Sequence, residues 1–239
     1  MATDAFVFGP DPSAYSTVVV LLHGGGGSSG EWFSGRKSPY QEGWFGEDTG
    51  IKYVFPNSAL EGRVWYNSYK NGCGMDDDCA YDLDSIADSG GRVSDLIDFE
   101  LGEPQIAGDA SRVYVAGFSQ GAQLAGYMQL GFLDYPLGGV GVMSGFPLPP
   151  LCDMGREGAD PAEARGNASY AGGEANFFIW HGKEDQIFPV DFTEESYKNI
   201  FEVLGVEDEL RVNVTNVGQT HEVVEEEIEA LVEWVRGGH

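Results

Sequence analysis

The chain has 239 residues, 42% of them hydrophobic and 13% aromatic, and its 39 acidic against 13 basic side chains give a net charge of −26. That length suits a single α/β domain, 1–239, with a sizeable core. The charge repels nucleic acid and anionic membrane surfaces. No stretch approaches the roughly 20 apolar residues of a membrane span. The first residues lack the basic and then apolar layout of a secretory signal, so a cytoplasmic location is expected, without stable membrane insertion.

Short apolar runs recur along the chain at 16–23, 51–55, 113–117, 140–144, 176–180 and 210–214. The first is apolar throughout rather than alternating, as a strand covered on both faces of a parallel sheet must be. Helical patterns fall between several of these runs, at 86–101, 119–130, 192–204 and 222–235. In the last, Val223, Ile228, Leu231, Val232 and Val235 mark one face, and its glutamates read as a solvated face. Strands alternating with helices predict a mostly parallel, doubly wound sheet with helices on both faces.

Two segments resist the pattern. Residues 58–81 are aromatic, Gly-rich and acidic, and residues 146–173 are rich in Pro, Gly, Ala and charge. Loops this long in a compact domain are usually functional, so both are expected as caps over the sheet's carboxyl end. Of the three cysteines, Cys73 and Cys79 flank an acidic loop that a disulfide would clip; free thiols are the alternative. Asp76-Asp77-Asp78 between them reads as a solvated loop, because it lacks the ligand spacing of a calcium loop.

The chemistry gathers at Gly117-Phe-Ser119-Gln-Gly121, which ends an apolar run and opens a small-residue helical pattern. A strand, a sharp turn and a helix lift one serine clear of a sheet, and the flanking glycines avoid collisions with neighbouring backbone. A serine needs a base, and the base needs an orienting acid. Of His23, His181, His221 and His239, only His221 follows a strand and a loop and directly precedes a helix, at the sheet edge where Ser119 emerges. Asp185 lies just past a buried strand, with Glu184 and Asp191 as nearby competitors. The chain order Ser119…Asp185…His221 is that of an α/β-hydrolase. An oxyanion hole then takes the N–H of Gln120 and a second from the 22–27 loop, Leu-His-Gly-Gly-Gly-Gly. That loop lacks the Gly-Lys-Ser/Thr of a phosphate loop, and the dispersed histidines offer no metal site.

In order along the chain stand Leu22-His-Gly-Gly with Trp32, Pro56-Asn57, Trp65-Tyr66, Gly117-Phe-Ser-Gln-Gly-Ala122, Ser144-Gly-Phe146, His181-Gly-x-x-Asp185 with Pro189, and Gln219-Thr-His221-Glu. As an ordered set these motifs resemble the phospholipase/carboxylesterase family of α/β-hydrolases, which includes acyl-protein thioesterases. The resemblance implies Ser119, Asp185 and His221 as triad, the N–H groups of Gly25 and Gln120 as oxyanion hole, no cofactor, and an acyl groove near Trp65 and Phe146. Asn67 departs from the aspartate that relatives often carry there, and the insert around Cys73–Cys79 is not a family feature.

The expected activity is hydrolysis of carboxylic esters or thioesters through an acyl-enzyme, by a monomer or homodimer. Small to medium acyl esters lead as substrates, ahead of acylated proteins and lysophospholipids. A lysophospholipase is the alternative enzyme, and a non-catalytic ligand receptor on the same fold is the alternative of another class.

Overall fold

The computed structural model describes residues 5–8, 14–33, 38–46, 50–68, 80–152, 176–206 and 211–237. Cys73, Cys79, Asp76–Asp78, His239 and, within the 58–81 and 146–173 segments, residues 69–79 and 153–173 lie outside the described residues.

Seven strands form one sheet: β1 (Ala5–Phe8), β2 (Thr17–Leu22), β3 (Ile51–Pro56), β4 (Val113–Phe118), β5 (Gly139–Met143), β6 (Phe177–Gly182) and β7 (Arg211–Asn216). Their order is β1-β3-β2-β4-β5-β6-β7. Strands β2 to β7 run parallel, and β1 pairs antiparallel with β3 at the edge. The six parallel strands fall on the six apolar runs. Strand β1 was not anticipated, because four residues among Gly and Pro carry too short a pattern to read.

The unbroken apolar character of β2 has its reason in the packing. Val18, Val20 and Leu22 enter one core cluster while Val19 and Leu21 enter another on the opposite face, all fully buried. The first cluster is closed by α2 (Leu83–Leu101), α3 (Gln120–Tyr127) and α5 (Val190–Leu204). The second is closed by α1 (Ser29–Phe33) and α6 (Glu225–Gly237). A four-residue α4 (Pro149–Cys152) lies between β5 and β6. The helix after Ser119 is shorter than its pattern suggests, since Met128–Phe132 form a π-helical turn instead.

The final helix corrects one reading. Its glutamates are not all a solvated face, because Glu227 is fully buried. Glu227 is the third residue of α6, and its carboxylate turns back to accept the Val224 N–H at 3.4 Å and the Gln219 side-chain amide at 3.3 Å. A glutamate at that position meets the unsatisfied N–H groups of a helix start, and here it meets them inside the protein. Because β2 has β3 on one side and β4 on the other, the chain reverses direction of winding there. Ligands of such sheets bind at the carboxyl ends beside that switch.

Candidate active site

Ser119 sits between β4 and α3 with φ 54° and ψ −119°, a conformation that L-residues rarely adopt and that stores about 1–3 kcal/mol. The glycines explain how the turn closes so tightly. A Cβ on Gly117 would stand 2.4 Å from the Gly121 carbonyl carbon, and one on Gly121 would stand 2.5 Å from the Leu22 oxygen. The second contact presses the turn against the end of β2, where the glycine loop begins.

That loop is latched by His23. The imidazole Nε2 accepts the Ser58 N–H at 3.1 Å, which fixes the proton on Nδ1, and Nδ1–H donates to the Gly24 carbonyl at 2.8 Å. Burial holds its pKa below the ordinary value, so the neutral ring this latch needs is the favoured form. Trp65 closes the loop from the other side, with its indole N–H on the His23 carbonyl at 2.7 Å and its ring 4.8 Å from the imidazole. Gln120 completes the frame: Oε1 accepts the Trp65 N–H and Nε2 donates to the Tyr66 carbonyl, both at 2.8 Å. The N–H of Gly25 has no acceptor among the described residues, and the N–H of Gln120 opens α3, where no carbonyl lies one turn back. Asn67 donates its side-chain amide to Asp82 at 3.2 Å.

Asp185 lies in the turn after β6. Its Oδ1 accepts the N–H groups of Ile187 and Phe188 at 2.8 and 2.9 Å, and its Oδ2 is 2.7 Å from His221 Nδ1. His221 Nε2 in turn is 2.9 Å from Ser119 Oγ. Hydroxyl, imidazole and carboxylate thus form one line, across a sequence separation of 102 residues at its longest step. Such a line moves a proton off the hydroxyl while the carboxylate fixes the tautomer. The competitor acids Glu184 and Asp191 are exposed and take no part in it. His181 stands behind Asp185: Nε2–H donates to the Phe188 carbonyl at 2.8 Å and lies 3.3 Å from Asp185 Oδ2. Burial lowers its pKa too, so His181 favours the neutral form.

Aromatic rings wall the His221 side. Phe188 packs edge-on against His221 at 5.1 Å, Phe146 against Phe188 at 5.0 Å, and Phe192 against Phe146 at 5.3 Å. Phe146 is fully buried beneath the wall, whereas Phe188 and Phe192 are half-buried and form its surface. Their position just after the acid was the available signal, but Phe-rich sequence there is equally explained by the core. A separate groove of about 910 Å³ runs along α2, bordered by Ser58, Trp65, Arg92 and Phe99, and none of the three aligned residues lines it.

The parallel sheet, the turn at Ser119 and the chain order of the aligned residues define an α/β-hydrolase. Residues 3–237 match the family model described as phospholipase/carboxylesterase. The chain belongs to that family, and ester hydrolysis is the activity of its class. A curated relative, feruloyl esterase B of Thermothelomyces thermophilus, is 28% identical over 227 residues, spanning 84% of this chain and 70% of its own. Among solved structures, esterase PE8 superposes with a TM-score of 0.73 at 18% identity, covering 100% of both chains. Acyl-protein thioesterase 2 of Zea mays superposes with a TM-score of 0.68 at 18% identity, covering 99% of each. Among the described residues, no helix is long and apolar enough to cross a membrane.

Proposed function

We propose that Ser119 is the nucleophile of an ester or thioester hydrolase that works through an acyl-enzyme, with His221 as base and Asp185 as its orienting acid. The observation that carries the reading is the unbroken line from Ser119 Oγ through His221 to Asp185, at 2.9 and 2.7 Å. Ser119 Oγ adds to the substrate carbonyl as its proton passes to His221 Nε2. The oxyanion forms against the N–H groups of Gly25 and Gln120, which cost no reorganisation because the loop and turn are already set. Collapse expels the alcohol or thiol with the proton from His221. Water, deprotonated by the same nitrogen, then releases the acid and frees Ser119.

The chain is read as one domain, with the 58–81 and 146–173 segments as caps, and with Trp65 beside the glycine loop and Phe146 beneath Phe188 backing the acyl group from either side of Ser119. The half-buried rings of Phe188 and Phe192 favour an apolar or aromatic group beside His221. Small to medium acyl esters lead, and the curated relative's name adds feruloyl esters to the set. Acylated proteins and lysophospholipids follow. The enzyme is read as cytoplasmic, a monomer or homodimer, and needs no cofactor.

A fluorophosphonate probe tests the reading. Stoichiometric labelling of Ser119, lost in Ser119→Ala together with hydrolysis of p-nitrophenyl esters, is expected. Labelling that survives the substitution overturns the nucleophile. Ligand binding by a protein that neither labels nor hydrolyses esters replaces the enzyme with a receptor. Comparing p-nitrophenyl esters of increasing chain length with a feruloyl ester and a palmitoyl thioester fixes the acyl group.

A further inference from the structure

The loop that carries His221 has no secondary structure of its own, yet its ring must stay within hydrogen-bond reach of both Ser119 and Asp185. Two buried polar side chains on either side of it bear on that requirement. Gln219 is 4% exposed and lies two residues before His221. Its Oε1 accepts the Trp180 indole N–H from β6 at 2.7 Å, and its Nε2 donates to the Glu222 carbonyl at 2.8 Å. The same Nε2 reaches Glu227 Oε2 at 3.3 Å, and that oxygen also accepts the Val224 N–H at 3.4 Å. The loop is therefore held at Gln219 before the histidine and at Glu222 and Val224 after it, through one amide and one carboxyl.

We propose that Glu227 is a positioning residue of the reaction: with Gln219, its buried carboxyl staples the two flanks of the His221 loop and so holds the imidazole between Ser119 and Asp185. The proposal rests on the reading of His221 as the base. Solvation of an α6 surface glutamate does not explain the arrangement, since Glu227 is fully buried, where an apolar side chain would pack without a desolvation cost. Its other oxygen, Oε1, has no partner among the described residues. Burial raises the pKa well above the ordinary carboxylate value, against the hydrogen bonds from Val224 and Gln219, which lower it. An uncharged carboxyl accepts from Gln219 and Val224 without placing an uncompensated charge in the core.

Substitutions separate positioning from mere stability. Glu227→Met keeps the length of the side chain and removes the acceptor, leaving Gln219 Nε2 and Val224 N–H to let the loop shift. A displacement on the order of 1 Å lowers turnover by about 10²-fold. The measurement is kcat and KM for a p-nitrophenyl ester, with kcat divided by the fraction of protein that a fluorophosphonate titrates, so that unfolded molecules do not count. Expected are a titrated kcat lower by about 10- to 100-fold, a KM within a few-fold, and slower fluorophosphonate labelling. Glu227→Gln, which reproduces a neutral carboxyl with one acceptor and one donor, should restore most of the loss. Gln219→Met attacks the staple from the other side; it should lower kcat in the same way, and the double variant should add little. If Glu227→Met does not fold, Gln219→Met carries the test.

A titrated kcat near wild type in the folded single variants overturns the proposal, as does a Gln variant no better than Met. His221→Ala, measured alongside, keeps the two readings apart. If His221→Ala retains turnover, the base is wrong. If it loses turnover while Glu227→Met and Gln219→Met do not, only the staple is wrong.

Discussion

The turn around Ser119 and the loop around His221 meet at one hydrogen bond, and they are held by opposite means. At the turn, backbone lies against backbone: Gly117 against Gly121, and Gly121 against the end of β2, with no room for a single methyl group. At the loop, the Gln219 amide and the Glu227 carboxyl reach across open turns of chain. Steric closure of the first kind is stiff and independent of pH. Polar stapling of the second kind depends on every partner being present, and burial makes its carboxyl sensitive to pH. A site built from both has one fixed member and one member that can be tuned.

The largest expected effect breaks the link between the two regions. In Asp185→Asn the side-chain oxygen stays on the N–H groups of Ile187 and Phe188, where Oδ1 now accepts both. The new NH2 then faces His221 Nδ1, and two donors cannot share a bond, so the imidazole adopts the tautomer that cannot take a proton from Ser119. A kcat loss of about 10⁴-fold is expected with an unchanged circular dichroism spectrum. A loss below tenfold would move the acid to another residue.

Gly121→Ala attacks the stiff member. Its methyl would meet the carbonyl oxygens of Leu22 and His23 at 2.5 and 2.6 Å, both backbone atoms that cannot swing aside. Destabilisation of about 1–3 kcal/mol should follow, read as a lower Tm, and turnover should fall with it because the glycine loop is displaced. Stability and turnover fall together here, whereas Glu227→Met should lower turnover chiefly per titrated site. A Gly121→Ala protein with wild-type Tm would remove the steric account.

The tunable member has a pH signature. The Glu227 pKa is raised by burial and opposed only by its bonds from Val224 and Gln219, with no charged neighbour among the causes. Above the unfolded value near 4.5, an unfolded chain loses this proton while the folded one keeps it. The folded state then binds more protons, so the carboxyl's contribution, complete below that pH, declines as pH rises through the folded pKa. Glu227→Gln lacks the decline. The difference in Tm, Gln variant minus wild type, should grow from pH 5 to pH 8 by a few degrees. A difference that stays constant means that the carboxyl is ionised in the fold.

The smallest effect touches the whole surface. With 39 acidic and 13 basic residues, carboxylates face one another at neutral pH, and salt screens them over a Debye length of ~10 Å at 0.1 M and ~3 Å at 1 M. Tm should rise with sodium chloride at neutral pH, and the slope should shrink near pH ~4, where carboxylates protonate. A flat or falling Tm across the neutral series would sink this account.

Legibility in the sequence follows the same division. Strands β2 to β6 were readable because burial on both faces forces nearly continuous apolar runs, whereas β7 at the sheet edge carries a weaker, mixed pattern. The turn at Ser119 was readable because a steric requirement leaves glycine at fixed spacing. Ser119, Asp185 and His221 were singled out by position, and they lie within hydrogen-bond distance of one another. The edge strand β1 and the burial of Glu227 were not readable. A glutamate inside the run Glu225-Glu226-Glu227 looks like its neighbours, and only the return of its carboxyl to Gln219 and Val224 distinguishes it. Phe188 and Phe192 were hidden similarly, since a ring that borders a site and a ring that fills a core are the same letter.

Gln120 ties the nucleophile turn to the aromatic segment through both ends of its side chain. Its amide receives a proton from the Trp65 main chain and gives one to the Tyr66 main chain, as a peptide group in a neighbouring strand would. A glutamate there, though the same size, would set a carboxylate oxygen against the Tyr66 carbonyl, lone pair to lone pair. A lysine would offer nothing to the Trp65 N–H. The residue between serine and glycine is thus selected by polarity in two directions, and the aromatic segment 65–66 is wired to the first turn of α3 as though a single rung of sheet had been grafted onto a side chain.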